Sequence, residues 1–326
     1  MILDQDYINS SAISQSKLKR LLFHPQYFLN YSTESEFDEQ KQTITIGDAV
    51  DLILTQGKQA FKTNYYVTNT EKPTGQMGDF VWYLFAHRED SQAETIAYEK
   101  AGFKRDTLQK VRERFEKEGR EYYETLLASE NKRVITEYQY DKIKAIVNSF
   151  KNHEFTKEYF VENDDSNRYK IFKQVAINFT CEGVHCKALL DMVVVDKFTD
   201  EITPIDIKTS SCSTSTWETM FYKFRYDIQA AFYTTAIQSI DYQERFGGKT
   251  INKFKFIVEN QDFPGNPLIF EVSPETLEIG KNGGETKGGR PIEGYVQALE
   301  RYKWHIHNDL WDYRMEDYQN KGVRTI

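Results

Sequence analysis

The period of the apolar positions changes twice along the chain. Near the start, Ser14 and Ser16 are N-cap residue types ahead of Lys17-Leu18-Lys19-Arg20-Leu21-Leu22-Phe23, and Pro25 can open a second short helix after a break at His24-Pro25. A polar stretch at 32–42 then leads through Ile44 and Thr45 into residues 46–54, whose apolar members recur at helical spacing and place Asp51 on a helix. Residues 78–157 are rich in Glu, Lys, Arg, Gln and Tyr, with Ile143, Ile146, Val147 and Phe150 at helical spacing, and predict a mostly helical block. Its basic residues between 100 and 120 interleave with Asp106, Glu113, Glu116 and Glu118, so a solvated helix face is a better reading than a DNA-binding one.

After Arg168 the pattern turns to alternation. Residues 173–180 and 184–195 predict two strands joined at Glu182-Gly183, and 201–208 a third strand after the turn residues 196–200. Residues 217–240 read as one long amphipathic helix, 252–259 and 267–272 as two further strands, and the glycine-rich stretch 280–290 as a flexible loop before a last helix over 292–318. The fold class is therefore α/β (α+β), a mixed central sheet flanked by helices. We expect a single domain over 1–326, with an N-terminal helical part (1–77), a helical insertion (78–165), a core (166–275) and a final loop and helix (276–326).

A 39% hydrophobic content supplies an ordinary core, and no run approaches the roughly 20 apolar residues that span a bilayer. The N-terminus lacks the basic and apolar regions of a signal peptide, and the expected location is the cytoplasm. Cys181, Cys186 and Cys212 are too few for a disulfide framework and read as thiols. A net charge of −8 argues against coating nucleic acid by bulk electrostatics, yet it leaves room for enzymes that gather carboxylates to hold metal ions.

The candidate chemistry lies on the third strand. In Ile205-Asp206-Ile207-Lys208 the acid and the lysine stand two apart, so both leave one face of the sheet. Such acid-x-base triplets are common: 50 acidic and 42 basic residues in 326 positions give about six by chance. Context narrows the choice, because Asp206 and Asp191 each sit in an apolar strand where an unpaired charge is costly. Two carboxylates, the Ile207 carbonyl and waters suit octahedral Mg²⁺ or Mn²⁺, and Lys208 could hold an attacking water and take its proton, since burial or a nearby cation lowers a lysine pKa. The competing reading is a strand-end salt bridge between Asp206 and Lys208 with Asp191 at a turn. Gln229 and Tyr233, four apart, share a helix face that can be aimed at the site.

The run from Lys187 through Asp191 and Asp206-Ile207-Lys208-Thr209 to Tyr226, Gln229 and Tyr233 resembles the exodeoxyribonuclease VIII group of the PD-(D/E)xK superfamily, with lambda exonuclease a more distant relative. Ile13-Ser14-Gln15-Ser16, Pro25-Gln26-Tyr27 and residues 47–54 are similar to the same group, whereas 78–157 and the chain beyond 245 are not informative. The resemblance implies a restriction-endonuclease-like core and a Mg²⁺-dependent exodeoxyribonuclease degrading linear double-stranded DNA from 5′ ends in phage or bacterial recombination. It further implies a single-strand annealing protein as partner and allows a homo-oligomer. Lys208, Asp206, Asp191, Gln229 and Tyr233 would be the catalytic residues, and Asp191, Asp206, Ile207 and Asp51 the metal-binding ones.

Two positions depart from the group. Asp51 stands where the group has a histidine and Gln174 where it has a glutamate; Glu182 is an alternative for the second, although it falls in a turn. Rival readings are an endonuclease or flap-type single-strand nuclease of the same superfamily and, from another class, a DNA-binding or recombination scaffold that has lost catalysis. Zinc at Cys181, His185, Cys186 and Cys212 is disfavoured by spacing, an iron–sulfur cluster by the cysteine count, and a phosphate-binding loop at 280–290 by the missing Gly-Lys-Ser/Thr. Lys281, Lys287 and Arg290 read as parts of a mobile loop rather than phosphate contacts.

Overall fold

Ser14 opens α1 (Gln15–Phe23) by accepting the Lys17 amide at 3.5 Å, and His24 both ends α1 and caps α2 (Pro25–Leu29), its Nδ1 accepting from the Gln26 amide at 3.2 Å. The computed structural model describes residues 7, 10–30, 46–163, 166–239, 246, 249–286 and 288–324. The polar stretch at 32–42, Ile44, Thr45, Ile240 and Lys287 fall outside them, as does most of the N-terminal stretch read for a signal peptide. By contacts the chain forms two compact units, one of Met1–Ser35, Leu54–Gln56 and Ala145–Ile326, the other of Glu36–Ile53 and Gly57–Lys144.

The chain runs through the second unit in α3 (Ile46–Gln56), α4 (Lys58–Asn64), β1 (Tyr65–Thr68), α5 (Gly75–Ala86), α6 (Ala93–Lys100), α7 (Leu108–Glu118), α8 (Arg120–Ala128) and β2 (Arg133–Thr136), and leaves along α9 (Glu137–Asn152). Phe80 and Val81 of α5, Val111 and Phe115 of α7 and Leu126 of α8 form its core. Arg114 pairs with Asp106 at 3.1 Å and Glu118 at 3.2 Å, and Arg120 with Glu116, all on solvated faces. The block expected to be mostly helical contains one short strand, β2, which pairs in parallel with β1 from Tyr65↔Arg133 to Thr68↔Thr136. Four residues on each side are too few to show a period of two within a helical background.

The first unit is built on β3 (Tyr169–Cys181), β4 (Val184–Asp196), β5 (Glu201–Ser210), β6 (Thr250–Ile251), β7 (Lys255–Asn260) and β8 (Leu268–Glu271). Strand order is β3-β4-β5-β7-β8, with β6 also pairing β5; β5 runs parallel to β6 and β7, and the other neighbours are antiparallel. The β3–β4 turn places Glu182 and Gly183 at φ 50° and 75°, the doubly left-handed geometry that matches strand twist in a two-residue hairpin.

Three helical expectations are corrected. The helix expected over 217–240 is two, α10 (Glu218–Phe221) and α11 (Tyr226–Ile237), separated at Arg225, which is left-handed at φ 54°. Arg225 is held there by two hydrogen bonds to the buried Asp227 carboxylate at 3.1 and 3.0 Å, and α11 is buried on nearly every side rather than amphipathic. The expected loop at 280–290 contains the end of α12 (Pro274–Asn282), started by the Ser273 cap and Pro274, and a short ladder of β9 (Gly284–Glu285) with β10 (Pro291–Ile292). The final helix breaks at left-handed Asp309 into α13 (Tyr295–Asn308) and α14 (Met315–Gln319). Gly280 of α12 permits close packing on α11, since a Cβ there would lie 2.1 Å from the Asp227 carbonyl oxygen.

Candidate active site

The site forms where β4 and β5 part. Their ladder ends at Met192↔Ile205, so Asp191 and Asp206 are the next residues on each strand. Asp191 Oδ2 instead accepts the Ile207 amide at 2.8 Å, and this side-chain bond ties the separating strands together. On the other side of β4, the β3 ladder skips one position between Lys173↔Met192 and Val175↔Leu190, where Gln174 stands opposite Asp191. Gln174 is buried and left-handed at φ 50°, a conformation that costs a non-glycine residue about 1–2 kcal/mol. Gln174 is thus also the point at which β3 is strained, opposite Asp191.

Asp206 is 2% exposed. Gln229 Nε2 donates to its Oδ1 at 2.7 Å, and its Oδ2 forms an ion pair with the Lys208 ammonium. Oδ2 is buried against that ammonium, so both oxygens of the carboxylate are engaged. Gln229 is therefore turned onto Asp206. Tyr233 is buried four residues further along α11, where burial first and the nearby Asp206 and Asp191 second hold its phenol well above the ordinary tyrosine range.

The expected lowering of the Lys208 pKa is corrected. Burial acts in that direction, but the carboxylates of Asp206 and Asp191 outweigh it and hold the ammonium well above the ordinary lysine value. With only these two carboxylates beside it, Lys208 is an ammonium and a hydrogen-bond donor. Its ammonium also lies 5.2 Å from the Tyr226 ring centroid. Lys19 of α1 reaches the same ring from 6.0 Å and donates to the Phe224 carbonyl at 3.3 Å. Sequence reasoning placed Lys19 on a helix and saw nothing more in it.

The donor set fits a divalent ion of the Mg²⁺ class in its chemistry: Asp191 and Asp206 offer hard carboxylate oxygens, and such an ion binds through one or two carboxylates and keeps several waters. Among the described residues no group of three or more His, Cys, Asp or Glu is gathered for a metal. Asp51 stands on α3, within the second unit. No helix of the described residues is long and apolar enough to cross a membrane.

A family described as a PDDEXK-like domain of unknown function (DUF3799) matches residues 106–287, more than half of the chain. The protein belongs to this family. Its PDDEXK-like domain carries Asp191, Asp206, Lys208, Gln229 and Tyr233, while Lys19 and Asp51 lie outside the matched segment. Membership places the chain in the PD-(D/E)xK superfamily, whose restriction-endonuclease-like core agrees with the mixed sheet, and whose nucleases typically use divalent metal ions. Among solved structures, a provisionally named exonuclease from Eubacterium rectale aligns over 99% of this chain and 89% of its own, with 12% identity and a TM-score of 0.41, a likeness that carries no argument. No curated protein matches the sequence.

Proposed function

We propose that the protein is a metal-dependent deoxyribonuclease that hydrolyses phosphodiester bonds at the ends of linear double-stranded DNA, in the 5′-to-3′ direction. The hydrolytic reading rests on Asp206: a carboxylate buried in an apolar sheet, oriented by Gln229 and paired with Lys208, beside an Asp191 carboxylate that the Ile207 amide holds. End preference and direction rest on the sequence similarity to the exodeoxyribonuclease VIII group, as do a single-strand annealing partner and a role in recombination.

Asp191 and Asp206 would hold Mg²⁺ or Mn²⁺, with the Ile207 carbonyl as a further ligand. When bound, the ion supplies positive charge at the scissile phosphate and makes water more acidic. Lys208 would present its positive charge and N–H donors, which orient the attacking water or offset charge gathering on the phosphate oxygens as the P–O bond to the leaving sugar breaks. Gln229 fixes the Asp206 carboxylate, and the Ile207 amide fixes that of Asp191, so neither acid rotates as charge develops.

A second reading, a DNA-binding scaffold without catalysis, draws on Gln174, which is neutral at the position beside Asp191 where the similar group has an acid. One assay separates the two. Purified protein is offered linear, nicked, circular and single-stranded DNA with Mg²⁺, Mn²⁺ or chelator. The proposal expects digestion of the linear duplex with either ion and none in chelator. Binding without cleavage in every condition favours the scaffold, and undiminished cleavage in chelator removes the two-carboxylate mechanism.

A further inference from the structure

Two ammonium groups converge on the Tyr226 ring at the start of α11. Lys208 approaches it from β5, Lys19 approaches it from α1, and both ammonium groups lie within 6.0 Å of its centroid. Two lysines around one ring repel each other, and an arrangement built only for stability gains little from the second. Lys19 has a hydrogen bond to the Phe224 carbonyl, which occupies one of its three N–H donors. Phe224 itself is 51% exposed, so this edge of the site opens to solvent. The ion pairs of the neighbourhood are otherwise closed: Arg225 is committed to Asp227 and Lys208 to Asp206.

We infer that Lys19 is a second phosphate-binding cation of the site, which grips a backbone phosphate of the DNA strand next to the one placed against Asp206 and Lys208. The inference rests on the nuclease reading above and specifies which group of the chain holds the substrate backbone. Burial, then the neighbouring Lys208, pull the Lys19 ammonium down to about 8, with Asp206 and Asp227 opposing and Arg225 reinforcing that fall. An ammonium kept at a cost beside another cation is what an arriving anion relieves. Lys19 precedes Leu22 and Phe23 by one helical turn, and α1 carries it to the site from 189 positions away in the chain.

The test uses the full-length protein, a short labelled linear duplex, and the variants Lys19→Met, which keeps the aliphatic stem, and Lys19→Arg, which keeps the charge. Binding is followed in chelator across a salt series, cleavage with Mg²⁺, and melting temperature alongside. Lys19→Met should weaken binding about tenfold and reduce the slope of log affinity against log salt by about one, with Lys19→Arg close to the parent in both. At pH 9 the parent should lose affinity relative to pH 7 while Lys19→Arg does not. An unchanged affinity and salt slope in Lys19→Met overturns the inference. Equal weakening in Lys19→Arg also overturns it, because the loss would then follow the fit of α1 rather than its charge. If the parent protein binds DNA through Lys19 but cuts none, the nuclease reading fails and the phosphate contact stands.

Discussion

Replacing Lys208 with Met separates a salt bridge from a metal site, because the same ammonium serves both. Asp206 is nearly inaccessible, with Gln229 on one oxygen and Lys208 beside the other. Removing the cation leaves a buried carboxylate without its counter-charge, a change that costs about 3–5 kcal/mol in buried pairs. The retained Gln229 bond, of a kind worth about 1.5–3 kcal/mol, puts the expected loss at the low end, near 3 kcal/mol. Met preserves most of the stem volume, so little of this is cavity formation. At roughly 2–4 °C per kcal/mol for a unit of this size, the melting temperature in chelator should fall by about 6–12 °C. Divalent metal should then recover much of the loss, since an ion at 100 times its dissociation constant contributes about 2.7 kcal/mol to the native state. Its stabilising effect should be larger in the variant than in the parent, because the parent's ammonium competes with the ion for Asp206 Oδ2. The assay is thermal unfolding in chelator and in a Mg²⁺ series, with cleavage measured in parallel and expected to be lost. A variant that melts with the parent in chelator, or that gains no more from Mg²⁺ than the parent does, refutes this reasoning.

Gln229→Leu removes the donor on Asp206 Oδ1 and should lower stability by about 2 kcal/mol while reducing the cleavage rate more than substrate affinity; equal activity in the two proteins would show that Asp206 needs no orienting partner. Asp51→Ala should shrink the rise in melting temperature produced by Mg²⁺ if Asp51 joins Asp191 and Asp206 as a ligand, and an unaltered rise would return Asp51 to the surface of an ordinary helix.

Much of the core was legible because its signal is local. Alternation with β-branched residues marks β4, Glu182-Gly183 marks the hairpin, and the two-residue spacing of Asp206 and Lys208 puts both on one face without knowledge of the rest of the sheet. What escaped depends on distant partners. The break before α11 needs Arg225 to be left-handed, and the Asp227 carboxylate and Glu293 carbonyl that hold it there lie two and 68 positions away. The reversal of the Lys208 pKa needs Asp191 to reach the same point as Asp206, which the strand pattern allowed but could not weigh against burial. Lys19 had only a faint signal, a cation one turn ahead of Leu22 and Phe23, and no feature of residues 14–23 ties it to β5. Gln174 looked like a chemical departure alone; its left-handed backbone appears only once β3 is laid beside β4.

The charges around Tyr226 explain why metal and DNA should bind together rather than independently. Asp191 and Asp206 contribute two negative charges, Lys208 and Lys19 two positive ones, and the Arg225–Asp227 pair closes on itself. The free site is balanced. A divalent cation alone adds two positive charges beside an ammonium already held above its ordinary range, and two adjacent phosphates alone add two negative charges beside the carboxylates. Each ligand by itself unbalances a partly desolvated site, where charge is expensive, and the two together restore neutrality. Binding free energies are reciprocal, so whatever factor the ion adds to DNA affinity, DNA adds to ion affinity. If the site takes an ion and a DNA strand as proposed, that coupling would make the ion bind more firmly when a strand is in place.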